Sequence, residues 1–541
     1  MAAKVNDKHE AGMEFLSYDI LILGSGAAGL RAAISPPQAG LGVCVASKGA
    51  IGKSSCTWLS AGVMAGSIDA RTSRAHLDRT LLAGRGTNQP ELAQILVEDA
   101  PLRLEELTRW GIHAEFKRGY LFSKGRPPVQ GMEIVRCLMK RNEELGTQFL
   151  GNLLITDLVM QNGNGWVRGY HRRSGKWVLI SAKAVIIATG GASALYLRHD
   201  NPNRMLGDGY RLALEAGAVL QDMEFVQFYP LCLAGPGTPP LVIPPKLADH
   251  GRLVNDSGEN ILEKYDIQER PAAERARDKL SQALFIEIYQ KAETVWLDLR
   301  GLSEDDWRND PFSASVEHIL GNQYGARQRA VRVAPAAHHT MGGVRIDGTG
   351  ATSVQGLFAA GEVTGGLHGA NRMGGNALTE TQVFGARAGS SAAEWTKART
   401  DRACFSTFEE CAPTKRSNGN DKPTATHLLR TLREIMWQYG GIVRNQTGLL
   451  RALQAVKAMQ DEVAGLPSEC EGRELVDALE LISATKVANL ILLGALKREE
   501  SRGAHLRDDF PKQDDEKWCG HLQVCLKQGA HMWRFEPAES S

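Results

Sequence analysis

The stretch Tyr18-Asp-Ile-Leu-Ile-Leu-Gly-Ser-Gly-Ala-Ala-Gly-Leu30 decides the fold of the first part of this chain. Residues 20–23 predict a buried strand, and Gly24-x-Gly26-x-x-Gly29 leads from that strand into a helix. Gly24 allows a tight turn, Gly26 lets the backbone approach a pyrophosphate, and Gly29 lets the helix pack on the strand. The helix N-terminus offers free N–H groups to phosphate. The pattern therefore predicts dinucleotide binding, with a ligand-free glycine turn as the alternative.

The second strand indicates which dinucleotide is bound. It covers residues 42–46 and ends in Ser47-Lys48. A nicotinamide site usually carries an acid about 20 residues after the glycines, for the ribose. No Asp or Glu occurs between Leu30 and Ile68, which disfavours a simple NAD site. Pro36-Pro37 predicts that the first helix ends after Ile34, because proline lacks an N–H donor and clashes with the preceding turn.

Length and composition limit the class of protein. The 541 residues are enough for about two to four domains with large cores. The net charge of +1 gives no electrostatic reason for binding nucleic acid or an anionic membrane. None of the nine cysteines forms a Cys-x-x-Cys pair, so we expect neither an iron–sulfur cluster nor any other metal site within this chain.

Targeting signals are not evident in the sequence. Residues 1–16 are polar and mixed in charge, without the apolar core of a signal peptide. No unbroken apolar run of about 18 residues follows. We therefore expect a cytoplasmic protein without direct membrane insertion.

Hydrophobic periodicity divides the rest of the chain. Residues 94–110 have helical spacing, whereas residues 153–180 are β-rich with turn signals and predict a meander. An apolar strand at 184–187 then runs into glycines, and a third glycine-rich strand follows at 356–362. Apolar residues between 427 and 500 recur with helical spacing and predict a bundle.

An ordered set of motifs covers nearly the whole chain, roughly residues 18 to 518. The motifs are GSGAAG at 24–29, IIATGG at 186–191, GDGYRLALEAGAVLQDMEFVQF at 207–228, RDKLSQA at 277–283, AHHTMGG at 337–343, GLFAAGEVTGGLHGANRMGGNAL at 356–378 and ESRGAHLRDDFP at 500–511. In these motifs the chain resembles the flavoprotein family of succinate dehydrogenase, fumarate reductase and L-aspartate oxidase.

The resemblance implies an α/β fold in which a Rossmann-like FAD-binding domain carries an inserted α+β capping domain and a C-terminal helical domain. The implied boundaries are 1–230 for the first part of the FAD-binding domain, 231–334 for the capping domain, 335–400 for the second part of the FAD-binding domain, 401–505 for the helical domain and 506–541 for a C-terminal tail.

The resemblance also implies the cofactor contacts. The glycine-rich turn would hold the pyrophosphate of FAD, Ser47 and Lys48 would lie beside the adenosine ribose, and residues 55–62 would follow the flavin edge. The implied cofactor-binding residues are Gly24, Ser25, Gly26, Ala27, Ala28, Gly29, Ser47, Lys48, Ser55, Cys56, Thr57, Ala61, Gly62, Ala188, Thr189, Gly190, Asp208, Glu362, Asn376, Ala377 and Leu378. Ser55 stands where succinate dehydrogenases carry the histidine linked covalently to FAD, so we expect non-covalent FAD.

Three residues match the catalytic positions of the family. Its reaction moves a hydride between the flavin and one carbon of a C–C bond next to a carboxylate, and a proton at the neighbouring carbon. Arg372 matches the carboxylate-binding arginine, His338 the substrate-binding histidine and Arg277 the arginine that relays the proton. Arginine suits a carboxylate because its planar fork binds both oxygens and stays charged. With a pKa above about 12 in water it is a poor acid, so Asp278 or another acid can resupply its proton.

Two departures from the family concern the far end of the substrate. The family's Gln-Phe-His-Pro-Thr is Gln227-Phe-Tyr229-Pro-Leu231 here, so a substrate-binding histidine is replaced by Tyr229. The family's Thr-Glu-x-x-Arg-Gly-Glu-Gly aligns with residues 244–251, which lack the threonine and the glutamate. A phenol cannot become cationic. We therefore expect a carboxylic acid other than plain fumarate, either larger or less symmetrical.

Three functions remain open. The first is an enzyme interconverting a saturated and an α,β-unsaturated carboxylic acid, the second an L-aspartate oxidase-like enzyme, and the third a non-catalytic flavin subunit that passes electrons within a complex. Because the chain lacks cysteine clusters, the resemblance implies electrons from an iron–sulfur partner subunit, through which any membrane association would arise.

Overall fold

The computed structural model describes residues 13–66, 70–117, 119–399, 424–464, 466 and 470–538. Within them the strands are β1 Met13–Leu23, β2 Val43–Ala46, β3 Val63–Ala65, β4 Ala114–Lys117, β5 Tyr120–Ser123, β6 Gln148–Leu150, β7 Leu153–Gln161, β8 Asn164–His171, β9 Lys176–Ile187, β10 Leu220–Gln221, β11 Val226–Leu233, β12 Arg252–Asn255, β13 Val295–Asp298, β14 Val331–Thr340, β15 Gly343–Arg345, β16 Leu357–Ala359, β17 Thr364–Gly365, β18 Val443–Arg444, β19 Leu506–Arg507, β20 Gly520–Lys527 and β21 Ala530–Pro537.

The helices within the same residues are α1 Ala27–Ala32, α2 Ser35–Gln38, α3 Cys56–Leu59, α4 Ala70–Ala83, α5 Pro90–Arg109, α6 Met132–Glu144, α7 Asp208–Glu215, α8 Pro245–His250, α9 Ile261–Lys264, α10 Ala272–Arg275, α11 Arg277–Phe285, α12 Glu304–Arg308, α13 Pro311–Val316, α14 Asn376–Lys397, α15 Ala425–Tyr439, α16 Gln446–Val463, α17 Gly472–Lys497 and α18 Asp515–Trp518.

The central sheet has the strand order β6-β2-β1-β9-β8-β7, and β16 adds to β9. The strands β2, β1, β9 and β16 are parallel, and the last residues of β1 lie opposite Ala46 and Ile187. The glycine-rich segments that follow these strands therefore meet at one edge of the sheet. Ligands of open α/β sheets bind at this carboxyl edge.

The first helix is short because of the two prolines that follow it. Helix α1 ends at Ala32, and α2 begins at Ser35 with Pro36 and Pro37 as its second and third residues, where a missing N–H costs no hydrogen bond. The predicted break is confirmed, although it comes two residues earlier than Ile34. A Cβ added to Gly29 would lie 2.0 Å from the Gly24 carbonyl oxygen, so this glycine is required by the packing of α1 on the strand.

The predicted meander is formed by β7, β8 and β9. These strands are antiparallel, and Asn162 and Gly163 turn the chain between the first two with φ of +49° and +71°. Beyond the meander, β9 continues without interruption into the parallel part of the sheet and ends at Ile187. One strand thus joins the meander to the cofactor edge.

The capping region contains a four-stranded sheet of order β11-β14-β13-β12, together with α8 to α13. It has an apolar cluster of its own, which includes the fully buried Trp307. The boundaries expected at 230/231 and 334/335 both fall within the strand pair β11–β14. The capping sheet is therefore continuous with the cofactor-binding part through two paired strands rather than through loops.

The predicted helical bundle is formed by α15, α16 and α17. The helix α17, which no unbroken apolar run marks in the sequence, is long and apolar enough to span a membrane by length and composition. However, 67% of its most apolar window is buried inside the protein, where it packs against α16, α15 and α7. Buried core helices can have the same length and composition as a membrane-spanning helix.

The C-terminal segment is not the tail expected at 506–541. The strands β20 and β21 form an antiparallel hairpin, and β20 pairs with β10 in a five-stranded sheet. Asp222, next to β10, accepts hydrogen bonds from the side chains of Arg498 and His521 and from the backbone of Leu522. The contacts of Asp222 with His521 and Leu522 thus fasten the hairpin to the cofactor-binding part, and Arg498 adds a hydrogen bond to the Gly520 carbonyl.

Candidate active site

A cavity of about 440 Å³ opens at the carboxyl ends of β1, β2, β9 and β16 and extends beneath the capping region. All residues expected to bind the cofactor line it, with two exceptions, Gly29 and Asn376. The expected catalytic and substrate-binding residues Arg277, His338, Arg372 and Tyr229 line the same cavity. The fold thus brings together segments that lie more than 300 positions apart in the sequence.

The two exceptions have structural roles. Gly29 packs the first helix on its strand, as described above. The Asn376 side chain is fully buried, where Oδ1 lies 2.7 Å from His76 Nε2 and Nδ2 donates to Thr80 Oγ1 at 2.9 Å. The expected contact of the Asn376 side chain with the cofactor is therefore corrected: it ties α14 to α4, while its neighbours Ala377 and Leu378 line the cavity.

The cradle around the glycine-rich turn fits a bound dinucleotide. Gly26 has φ of −73° and ψ of −177°, which any residue can adopt. A Cβ added to Gly26 would lie 3.6 Å from its nearest neighbour, Ser55 Cβ, which is an ordinary van der Waals distance. Protein packing alone thus does not require glycine at position 26, whereas close approach of a ligand does. Thr189 Oγ1 and Asp208 Oδ1 are buried without partners among the described residues, and both residues line the cavity.

Ser55 and Lys48 form hydrogen bonds at the end of the cavity that contains the glycine-rich turn. Ser55 caps α3: its Oγ donates to the Gly52 carbonyl at 2.7 Å and accepts from the Trp58 amide at 3.1 Å. Lys48 donates to the Asp208 carboxylate. The lysine thereby fixes one oxygen of Asp208 and leaves the other for a ligand.

Two arginines define the other end of the cavity. Arg277 and Arg372 are each 4% exposed, and neither forms a salt bridge within the described ranges. Arg277 donates through Nη1 to Gln227 Oε1 at 2.8 Å, and Arg372 donates through Nη1 to the Met373 carbonyl at 3.3 Å. The Nε atom of Arg372 is buried without a partner in the part of the chain described.

The electrostatics of this end favour an anion. Burial, together with the nearby Arg277 cation, lowers the pKa of Arg372 to about 9. Burial also lowers the pKa of Arg277. A buried charge without a counterion is unfavourable. A bound carboxylate would relieve both guanidinium groups, so the site is arranged for an acid.

His338 is oriented by a residue that the sequence does not mark. Its Nδ1 lies 2.6 Å from Asp200 Oδ2, which leaves Nε2 available to a ligand. Burial lowers the pKa of His338, although the Asp200 carboxylate acts in the opposite direction. The pair is separated by 138 positions, and no spacing pattern links the two residues.

Gln227 is a second residue that sequence reasoning did not assign. Its Oε1 accepts from Arg277, while its Nε2 donates to Asn371 Oδ1 and to the Arg372 carbonyl, both at 2.9 Å. One amide therefore sets the distance between the segments that carry the two arginines. The only signal for it in the sequence is its place in the motif Gln227-Phe-Tyr229, two residues before Tyr229.

Tyr229 is less available to a substrate than its position suggests. Its hydroxyl donates to the Ile243 carbonyl at 2.7 Å, and the Arg277 guanidinium lies 5.0 Å from the ring centre. The wall beyond it is apolar and is formed by Pro240, Leu241, Val242, Pro245 and Phe312, with Lys246 as its cation. Lys246 is paired with Asp310 at 3.1 Å.

Two further groups beside the cavity are buried. Burial raises the pKa of Glu362 to about 7, although the Thr340 amide donates to it at 3.0 Å. His339, which we expect to be structural, lies against the pair formed by His368 and Glu380, whose Nε2 and Oε2 atoms are 3.1 Å apart. Glu362 and His339 line the cavity themselves, whereas His368 and Glu380 are not among its lining residues.

Fold and site together define a flavoprotein oxidoreductase, and comparison with known proteins specifies the family. A model described as "FAD binding domain" matches residues 19–378, and one described as "Fumarate reductase flavoprotein C-term" matches residues 429–539. The chain therefore belongs to the fumarate reductase and succinate dehydrogenase flavoprotein family, which also includes L-aspartate oxidases, and its cofactor is FAD.

The relatives cover nearly the whole chain. A subunit of the fumarate reductase (CoM/CoB) of Methanothermobacter marburgensis is 35% identical over 92% of this chain and 95% of the relative. The L-aspartate oxidase of Streptomyces coelicolor is 30% identical over 94% and 92% of the two chains. The FrdA structure of the E. coli quinol fumarate reductase superposes with a TM-score of 0.84 at 25% identity and covers 98% of each chain.

Proposed function

We propose that this protein interconverts a saturated and an α,β-unsaturated carboxylic acid whose far end is larger or less symmetrical than that of fumarate. The observation that carries the proposal is the pair of buried arginines without counterions, Arg277 and Arg372, in the same cavity as the FAD-binding segments. Electron relay alone needs no such pair. A non-catalytic flavin subunit is therefore the weaker reading.

Different residues of the site bind the substrate carboxylate and transfer the proton. When bound, FAD supplies or accepts the hydride. Arg372 and His338 hold the substrate carboxylate, and the positive charge of Arg372 stabilises the negative charge that develops beside it. Arg277 donates the proton to the neighbouring carbon, because it is buried, oriented by Gln227 and able to present Nη2 to the cavity. Closure by the capping sheet excludes water and strengthens these interactions.

The far end of the substrate meets the apolar wall described above. A free carboxylate placed there would find neither an imidazole nor a hydroxyl of a threonine, and the phenol of Tyr229 already donates to Ile243. An acid with an uncharged or bulky far group therefore fits better than fumarate or succinate.

The reducing equivalents would come from a partner. No cysteine pair in the sequence has the spacing of an iron–sulfur site, and the name of the Methanothermobacter relative describes it as one subunit of its enzyme. We therefore propose that the electron donor or acceptor is an iron–sulfur electron-transfer subunit, with FAD held non-covalently in this chain.

An anaerobic specificity panel tests the proposal. Reduced viologen dye would be supplied with fumarate, its mono-ethyl ester and longer 2-enoic acids, and dye oxidation would be followed. Faster turnover of the mono-ester or a longer acid supports the proposal, whereas no turnover of any enoate contradicts it. L-Aspartate with oxygen and peroxide detection forms the second arm, because several relatives are named L-aspartate oxidase. Peroxide formed only with L-aspartate would favour that alternative.

A further inference from the structure

The acid next to Arg277 in the sequence is not free to supply a proton. Asp278 accepts a bidentate pair of hydrogen bonds from Arg85, with Nε to Oδ2 and Nη2 to Oδ1 both at 3.1 Å. Both oxygens of this carboxylate are thus engaged by one guanidinium fork. Asp278 therefore stabilises the start of α11, and Arg277 needs another source of protons.

Glu274 lies three residues before Arg277, on the short helix α10 that precedes α11, and lines the cavity. The position of a Cβ built on Gly374 is 3.5 Å from Arg277 Nη2 and 4.0 Å from Glu274 Cγ, so the two side chains flank the same point. Glu274 is half-buried, and the Tyr120 hydroxyl lies 3.5 Å from its Oε1. Burial lowers the pKa of Arg277 and the Glu274 carboxylate opposes this effect, so Glu274 lies close to Arg277 although the two form no salt bridge.

The other carboxylates that line the cavity are already engaged. Asp200 binds His338, Asp208 binds Lys48 and Asp310 binds Lys246. Glu362 is deeply buried and accepts from the Thr340 amide. Among the described residues that line the cavity, Glu274 is the carboxylate without a salt bridge or a backbone donor.

We propose that Glu274 resupplies the proton of Arg277, which rests on the function proposed above. During reduction of the double bond, one carbon receives the hydride supplied by reduced FAD and the other receives a proton from Arg277 Nη2. The neutral guanidine then takes a proton from the Glu274 carboxyl group, and Glu274 takes one from water. The reverse sequence removes the proton during oxidation. Glu274 acts only through Arg277 and does not touch the substrate.

Replacement of Glu274 by glutamine tests this role in the FAD-loaded protein with the enoate that the wild type reduces best. We expect kcat to fall at least about tenfold, because general acid–base catalysis contributes about 10²–10⁴-fold and water can replace part of an indirect proton supply, with KM and FAD content nearly unchanged. The solvent deuterium isotope effect on kcat should rise, because proton resupply becomes slower. Glu274→Asp should recover part of the rate, and added formate should accelerate Glu274→Ala but not the wild type.

The matched control is Glu269→Gln, which removes a surface carboxylate paired with Lys279 on the same segment and should leave kcat unchanged. A Glu274→Gln protein with more than half of the wild-type kcat and an unchanged isotope effect would overturn the role of Glu274 alone. If Glu274→Gln loses FAD, a Glu274→Ala protein reloaded with FAD that keeps more than half of the wild-type kcat and does not respond to formate would overturn it. Absence of enoate reduction in the wild type would instead refute the proposed function.

Discussion

Buried charges reveal the chemistry of this site at the scale of single residues. Arg277 and Arg372 are held in place by Gln227 and by backbone carbonyl groups rather than by carboxylates. Such neutral partners fix the positions of the guanidinium groups without neutralising them. The unfavourable burial is offset when an acid binds, so binding and catalysis draw on the same electrostatic feature.

Arg277→Ala should abolish turnover while leaving the flavin spectrum and FAD content nearly unchanged, because it removes the proton relay and not the cofactor cradle. Arg277→Lys should restore little, since lysine lacks the planar fork that binds Gln227. Steady-state rates and the flavin absorbance check both points. Arg275→Ala, which removes an exposed arginine of α10, is the control. Retention of more than about a tenth of the wild-type rate in Arg277→Ala, a change of only about 1.4 kcal/mol, contradicts the assignment.

Whether FAD is covalently linked to the protein depends on one residue, Ser55. Ser55 cannot form the histidyl linkage, and its hydroxyl is already engaged in capping α3. Acid or heat denaturation should therefore release intact FAD into the supernatant, measurable by its absorbance and by mass spectrometry. Flavin that precipitates with the polypeptide would refute non-covalent binding.

Secondary-structure elements show which features the sequence could predict. The turn at Gly24 and the break before Pro36 depend on local backbone constraints, so residue identity alone predicts them. The Asp200–His338 contact and the pairing of β10 with β20 join residues that are far apart in sequence. β10 has only two residues and carries no periodic pattern, so the C-terminal hairpin could not be foreseen.

In the candidate site, too, local motifs could be predicted from the sequence and contacts between distant residues could not. Most of the residues expected to bind FAD line the cavity, and they could be grouped from the sequence because they occur in short contiguous motifs. Gln227, Asp200 and Glu274 act through partners on other elements, and their roles depend on tertiary distances. Asn376 misled for the opposite reason: it belongs to a cofactor motif, but its side chain turns toward α4.

The attachment of the C-terminal hairpin should depend on pH. Burial lowers the pKa of His521, but the Asp222 carboxylate more than offsets this effect, and the pKa lies above its usual value. Stability from this pair is thus fully present below pH 6.5, the usual pKa of histidine, and is lost as the pH rises through the higher pKa of the folded state. The contribution of the Arg498 pair remains at all these pH values.

Asp222→Asn tests the attachment, because asparagine tolerates the φ of +56° at this position and replaces the charged carboxylate, with its two acceptor oxygens, by a neutral amide with one. Arg498 keeps Glu224 and Glu500 as partners, so the loss of the charged hydrogen bond from His521 should weaken the hairpin by about 1.5–3 kcal/mol. The loss should be larger at pH 6 than at pH 9. Hydrogen exchange of the β20 amides, corrected for intrinsic rates, measures it. Equal protection in both proteins at pH 6 would contradict the role of the pair.

At the scale of the whole molecule, the candidate site draws on both parts, because Arg372 lies in the cofactor-binding part and Arg277 lies on α11 of the capping region. The strand pair β11–β14 passes from one to the other and carries Tyr229 and His338. Tyr229 and His338, which we propose to face opposite ends of the substrate, therefore lie on one pair of hydrogen-bonded strands. We propose that the capping region, near residues 231–334, is where this chain diverges from fumarate reductases.

Tyr229→His should shift preference toward fumarate. An imidazole can provide the charged hydrogen bond that the phenol cannot, and such bonds contribute about 1.5–3 kcal/mol, or roughly 10- to 150-fold in discrimination. The shift should be partial, because the Thr-Glu segment is also absent. The ratio of kcat/KM for fumarate to that for its mono-ester measures it, with Tyr289→His as a control outside the cavity. An unchanged ratio would mean that Tyr229 does not face the far end.

The central claim is that this protein exchanges a hydride and a proton with the double bond of a carboxylic acid. Anaerobic single-turnover mixing of the fully reduced protein with a 2-enoic acid tests it most directly. We predict rapid reoxidation of the flavin and one equivalent of saturated acid, with both lost in Arg277→Ala and neither seen with the corresponding enol ether or amide that lacks a carboxylate. Flavin that stays reduced with every enoate, yet reoxidises with an electron-accepting dye, would contradict the claim and show a protein that only passes electrons.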